Sequence, residues 1–306
     1  MVIKPSRPPG RDLLAWLHER RLLIGDGAMG TALLSAGLPA GACPEIWNLD
    51  HAERVEEVLR SYVEAGAELL ETNSFGANPA RLAAHGVEHR CEEINRAAAV
   101  IARRVAGDRA LVLGSIGPTG VRLHPSGALP LEEAFAGFTR QAEALASGGS
   151  DALIVETMID LNEAVLAVKA AAATRLPVIA CLTVLGDSPA RAAKDLESAG
   201  ACVIGANCGT GPATMIGMVR ALRDATTLPI VAQPSAGIPV MRNGRLEYPE
   251  APEMTASRAS DLIDAGATIF GGCCGTTPEH VRAFATVVME KRRRLGRDER
   301  IRTSDP

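Results

Sequence analysis

The segment IDAGATIFGGCC (263–274) has three near-copies in the chain: VEAGAELLETN (63–73), ASGGSDALIVET (146–157) and ESAGACVIGANC (197–208). Each reads as a helix end, a glycine stop, a short apolar run and then small or polar residues. Four further apolar runs of the same length complete the set. The eight are Leu22–Ile24, Glu68–Leu70, Leu111–Leu113, Ala152–Val155, Pro177–Ala180, Cys202–Ile204, Ile230–Ala232 and Thr268–Phe270. Stretches with helical spacing lie between them, such as Leu131–Leu145, Glu163–Ala172 and Met215–Leu222. Strand-length runs alternating with helical segments imply parallel β/α units. Eight units in roughly 270 residues predict an α/β fold, a single (β/α)8 TIM barrel. Its expected limits are residues 13–292, with a Pro-rich extension at 1–12 and a polar tail at 293–306.

A barrel points every strand's C-terminal end to one face, where barrel enzymes carry their chemistry. The residues just past each run are Asp26, Glu71-Thr72-Asn73, Ser115, Glu156-Thr157, Thr183, Asn207-Cys208, Gln233 and Cys273-Cys274. The eighth strand of a closed barrel neighbours the first, and the sixth is two strands away. Three thiols, on Cys208, Cys273 and Cys274, therefore come within reach of one rim.

The bulk properties narrow the function classes. Of 306 residues, 47% are hydrophobic but only 3% aromatic, so the core is built from Ala, Leu, Val and Ile. The net charge of −4 argues against a nucleic-acid or membrane-surface partner. No apolar run reaches membrane-spanning length, and the N-terminus lacks a signal peptide's apolar segment, so a cytoplasmic protein is expected. Seven cysteines in a reducing compartment point to buried thiols, metal ligands or catalysis rather than disulfides.

Three thiolates at about 2.3 Å form a ligand set suited to Zn²⁺, with a fourth position open to an incoming thiol. The competing reading is three inert buried cysteines, the usual fate of a free Cys. Pattern alone leaves both open. A Cys-Cys pair rarely serves packing, however, and Gly271-Gly272 and Gly275 could let both turn inward. Cys43, Cys91, Cys181 and Cys202 read as core residues. Gly25–Gly30 formally matches G-x-G-x-x-G, but Asp26 would set a carboxylate in the turn meant for pyrophosphate, which disfavours a dinucleotide-dependent oxidoreductase. Asp26 and Glu156 could receive an ammonium group or simply cap helices. The glycine-rich loop 114–120 could offer N–H groups to an anion. Of the six histidines only His124 falls near a strand end, so a histidine acid–base mechanism has little support.

With these elements in order, the chain resembles the homocysteine S-methyltransferase family, and is most similar to the homocysteine-binding barrel of cobalamin-dependent methionine synthases. The motifs are GDGAMGT (25–31), PEIWN (44–48), AGAELLETNSFGAN (65–78), GSIGPTG (114–120), IVETM (154–158), GANCGTGP (205–212), PSAGIP (234–239) and GGCCGTTPEH (271–280). The resemblance implies zinc on Cys208, Cys273 and Cys274, with homocysteine sulfur as the fourth ligand. It places the amino group of homocysteine at Asp26 and Glu156. The backbone around Gly114–Ile116, Ser115 included, would lie near the carboxylate, while Thr72, Asn73 and Asn207 shape the pocket. The implied reaction is methyl transfer to the thiolate, giving methionine. The donor is open between a methyl-corrinoid protein on another chain, S-methylmethionine and another small methylated molecule. A homocysteine-presenting module that works only with a separate methyl-corrinoid carrier is the main alternative. Two features depart from the family pattern. The stretch 182–196 is shorter than expected, and Gly275 stands where the stand-alone S-methylmethionine enzymes more often carry Arg. The sequence ends after the barrel, so the expected unit is the barrel alone.

Overall fold

Eight strands form one parallel sheet whose two edges nearly meet. They are β1 (Leu23–Ile24), β2 (Leu69–Glu71), β3 (Leu111–Ile116), β4 (Ala152–Met158), β5 (Val178–Leu182), β6 (Val203–Cys208), β7 (Ile230–Pro234) and, after an antiparallel hairpin of β8 (Val240–Arg242) and β9 (Arg245–Glu247), β10 (Ile269–Phe270). The order is β1-β10-β7-β6-β5-β4-β3-β2, with helices in the crossovers, as a (β/α)8 barrel requires. This computed structural model describes residues 12–304 apart from Leu185, Asp187, Asn243 and Gly244. The Pro-rich extension therefore lies, except for Asp12, outside the described residues.

Alternation along each strand sorts its side chains into two layers. Leu23, Leu69, Leu111, Leu113, Ile154, Ile179, Cys181, Val203, Val231 and Ile269 fill the barrel interior. Leu13, Trp16 and Leu17 belong to the same cluster, carried on the helix Leu13–Arg20. The Asp12 carboxylate starts that helix, accepting the N–H groups of Leu14 at 2.9 Å and Ala15 at 3.0 Å. The opposite parity, Ile24, Leu70, Val112, Val155, Ala180, Ile204, Ala232 and Phe270, packs outward beneath the helices. Each buried Leu, Ile, Val or Phe among them contributes about 1.5–3 kcal/mol, so both layers share in holding the barrel.

The seam between β1 and β2 is closed mainly by carboxylates. The Glu68 N–H donates to the Ile24 carbonyl at 2.8 Å, and the Glu68 carboxylate accepts the Ile24 N–H at 3.1 Å. At the other end Asp26 accepts the Glu71 N–H at 2.8 Å. Glu68 also pairs with Arg20 at 2.7 Å and with Arg292, which ties the last helix to the seam.

The strands run further than their apolar runs at the C-terminal ends, because Ser115, Glu156 and Asn207 continue the ladders of β3, β4 and β6. The expected tail differs more. The final helix, Pro278–Ser304, continues through residues 293–304, and Lys291 and Arg292 fasten it by pairing with Asp264 and Glu68.

Candidate metal and amino-acid site

Two strand ends and one turn bring the three predicted thiols together. The Sγ atoms of Cys208, Cys273 and Cys274 lie within 4.8 Å of one another, and those of Cys273 and Cys274 are 4.0 Å apart. Four sulfurs held tetrahedrally at 2.3 Å from a metal would stand about 3.8 Å apart, so small side-chain shifts would complete the site. Beyond β10 the chain leaves the ladder: Cys273 donates its N–H to Pro234 O at 2.9 Å, and the Cys274 carbonyl accepts from Ala236 at 2.9 Å. Thr276 closes the turn on the Cys273 carbonyl through its hydroxyl at 2.7 Å. Neighbouring thiols, which a strand would send to opposite faces, thus reach one place.

Cys208 ends β6 with φ of +64°, a left-handed backbone that non-glycine residues adopt at a cost. Its thiol is held below the usual thiol range. Hydrogen bonds from Cys273 and then Cys274 lower it, with help from Ser235 and the Gly209 N–H. The same sharing raises Cys273 and Cys274. Three half-buried thiols that stabilise one another's anion form a donor set fitting a soft divalent cation.

Tyr248, just after β9, was not singled out from sequence. It shares a hydrogen bond with Cys274, and its ring packs on Gly275, whose φ is +80°. A Cβ at position 275 would collide with that ring, so a larger side chain has no room there unless Tyr248 moves.

Beside the thiols lie three carboxyl groups, on Asp26, Glu71 and Glu156. Asp26 and Glu156 are buried. Glu71 keeps part of its surface accessible, although protein atoms crowd its carboxyl group. No ion pair among the described residues involves any of the three. Burial raises Asp26 to about 8, against the pull of the Glu71 N–H and with the added push of the Glu156 charge. Burial likewise raises Glu71 and Glu156, and Glu71 is pushed further by its two acidic neighbours.

A bulge in β4 aims Glu156. Register shifts between Val155 and Met158, and Thr157 takes φ of +57°. Asn207 holds this irregularity: its Oδ1 accepts the Thr157 N–H at 2.8 Å, and its Nδ2 donates to Glu156 Oε2 at 2.9 Å and Thr157 Oγ1 at 2.8 Å. Ser115 Oγ donates to Glu156 Oε1 at 2.6 Å. Thr72 Oγ1 accepts the Ser115 N–H at 2.9 Å. Asn73 instead binds the Pro44 carbonyl at 2.8 Å and Asn48 at 3.1 Å, fastening the PEIWN segment to the rim. The N–H groups of Ser115, Gly117 and Thr119 all serve protein acceptors, so the glycine-rich loop does not offer them to an anion. The Gly25–Gly30 turn is occupied in the same way, with the Ala28 N–H held by Thr276 and the Gly27 Cα against Tyr62. With the closed barrel order, this removes the dinucleotide reading. Cys43, Cys91 and Cys181 are buried and Cys202 half-buried, all away from the cluster of thiols, as expected of core residues.

A (β/α)8 barrel with a three-thiol, metal-competent centre and adjoining carboxyl groups at its C-terminal mouth defines the class. Residues 23–288 match the family described as Homocysteine S-methyltransferase, and the chain belongs to that family. It is 36% identical over 303 residues to the methionine synthase of Mycobacterium leprae (strain TN), and 36% over 308 residues to that of Mycobacterium tuberculosis. These alignments cover 90% and 92% of this chain but 25% and 26% of the relatives, so the chain spans about a quarter of their length. Among solved structures it resembles the metallated form of the homocysteine methyltransferase MmuM from Escherichia coli. The TM-score is 0.75 at 24% identity, over 90% of this chain and 99% of that one, a likeness of fold.

Proposed function

We propose that this chain methylates the thiol of L-homocysteine to give methionine, using Zn²⁺ held by Cys208, Cys273 and Cys274. The observation that carries the reading is the convergence of these three thiols beside carboxyl groups that have no cationic partner among the described residues. That pairing suits a ligand bearing both a thiol and an ammonium group. When bound, zinc would lower the thiol pKa of the substrate and keep its sulfur an electron-rich thiolate at neutral pH.

The chain's own residues supply the rest. Asp26 and Glu156 receive the ammonium group, which favours their ionised forms and offsets the burial that raises them. Asn207, Ser115 and Thr157 hold Glu156 in place, and Thr72 fixes the Ser115 backbone. Methyl transfer forms an S–C bond as the bond from methyl to its carrier breaks, and the electron pair leaves with the carrier. No proton shuttle is required once the sulfur is deprotonated.

A donor carried by a separate methyl-corrinoid protein has one observation in its favour. Ile159, Val184, Ile238, Met241 and Leu246 are exposed on the segments that follow β4, β5 and β7, around the mouth. Apolar side chains grouped there fit a macromolecular donor better than a small solvated one. The test is a donor panel with L-homocysteine and zinc-loaded protein, following methionine. Turnover with S-methylmethionine or another small donor supports autonomous activity, and strict dependence on the corrinoid protein supports the carrier reading. No methionine with any donor contradicts the proposal.

A further inference from the structure

Glu71 on β2 and Gln233 on β7 meet across the barrel interior, where Gln233 Nε2 donates to Glu71 Oε1 at 2.6 Å. Glu71 is also hydrogen-bonded to Glu156. Of two carboxyl groups sharing a hydrogen bond, one must carry the proton, and crowding by protein and by two acidic neighbours favours it on Glu71. Glu71 then presents its hydroxyl to Glu156 and its carbonyl oxygen to the Gln233 amide. The amide is oriented in consequence: Nε2 is committed to Glu71, and Oε1 faces elsewhere inside the barrel. Gln233 is only 4% exposed, and its Oε1 is buried and accepts no hydrogen bond from any described residue. A buried amide oxygen without a donor is unfavourable, and such an atom in a ligand pocket marks where a donor belongs.

An ammonium group carries three N–H donors, and Asp26 and Glu156 account for two directions of approach. We propose that Gln233 Oε1 is a third acceptor for the substrate ammonium group, and that Glu71 is the positioning residue that turns this oxygen toward it. The assignment rests on the homocysteine reading above. A neutral acceptor suits this place, because a third anion beside Asp26 and Glu156 would itself be driven to take up a proton.

The experiment is calorimetric binding of three thiols to zinc-loaded protein: L-homocysteine, 3-aminopropanethiol, which lacks the carboxylate, and 4-mercaptobutanoate, which lacks the amine. In Gln233→Leu, affinity for the two amines should fall about tenfold or more while that for 4-mercaptobutanoate stays within about twofold. Glu71→Leu should show the same amine-selective loss. Glu71→Gln, whose amide can both accept from Gln233 and donate to Glu156, should restore affinity to near the wild-type value at neutral pH. Equal losses for all three thiols, no loss for any, or failure of Glu71→Gln to rescue would overturn the assignment. Wild-type protein that does not prefer L-homocysteine over 4-mercaptobutanoate would sink the homocysteine reading itself. A wild type with that preference and an unchanged Gln233→Leu overturns only the role of Gln233.

Discussion

Asp26 has two duties that pull in opposite directions. Its carboxylate accepts the Glu71 N–H at the β1–β2 seam, yet burial beside Glu156 raises its pKa from 3.8 to about 8. The unfolded chain loses this proton near 3.8, so between the two values the folded state holds a proton that the unfolded state has released. Stability of the ligand-free protein should therefore fall as pH rises through this window and level off above it. Glu71 and Glu156, raised in the same direction, add to the slope. Asp26→Asn keeps an oxygen for the Glu71 N–H but cannot ionise, so its Tm should fall less steeply than the wild type's between about pH 5 and about pH 8. Equal slopes in thermal melts would contradict the assignment. Cys208 is the second decisive residue, since it ends β6 in a left-handed conformation and receives hydrogen bonds from both other thiols. Cys208→Ala should lose bound zinc, read by elemental analysis after dialysis, together with turnover. Stoichiometric zinc in that variant would contradict the site.

The hairpin of β8 and β9 is the element that ties the mouth to the three clustered thiols, because Tyr248 follows it directly and packs on Gly275 while bonded to Cys274. Gly275→Ala introduces both a strained φ and a collision, a cost of about 1–3 kcal/mol if the turn holds. Relief by displacing Tyr248 or Cys274 would weaken the donor set. The variant should give up zinc to a competing chelator at least several-fold more readily than wild type, and an unchanged competition curve would contradict this link. Sequence reading missed this hairpin. Its strands are three residues each, their side chains are exposed or charged, and their apolar runs are too short to register. Asn243-Gly244, a dipeptide favoured in two-residue hairpin turns, was the signal it held. The last helix was underread for a related reason. KRRR (291–294) looks like a helix end in isolation, whereas Lys291 and Arg292 find acidic partners on distant segments.

Across the whole barrel, what was legible depended on whether a feature is written along the chain or across it. The glycine-stop lead-ins at 66, 149, 200 and 266 precede β2, β4, β6 and β10, and apolar runs mark all eight barrel strands. The order of those strands then suffices to gather Cys208, Cys273 and Cys274 at one rim. Side-chain partnerships between strands left no such trace. Glu71 meets Gln233 over a separation of 162 residues, and Asn207 steadies Glu156 across 51. Parity was the available clue, since Glu71 and Gln233 stand two residues beyond the inward-facing Leu69 and Val231. Asn73 shows the converse: a motif residue at the right rim whose side chain serves the neighbouring loop.

X-ray absorption at the zinc edge of metal-loaded protein, before and after L-homocysteine is added, tests most directly whether three cysteines hold a metal with one position open to the substrate thiol. The expected spectra give three sulfur neighbours at about 2.3 Å with one lighter atom in the free protein, and four sulfurs once homocysteine is present. A first shell with fewer than three sulfurs, or one that does not change when homocysteine is added, would contradict it.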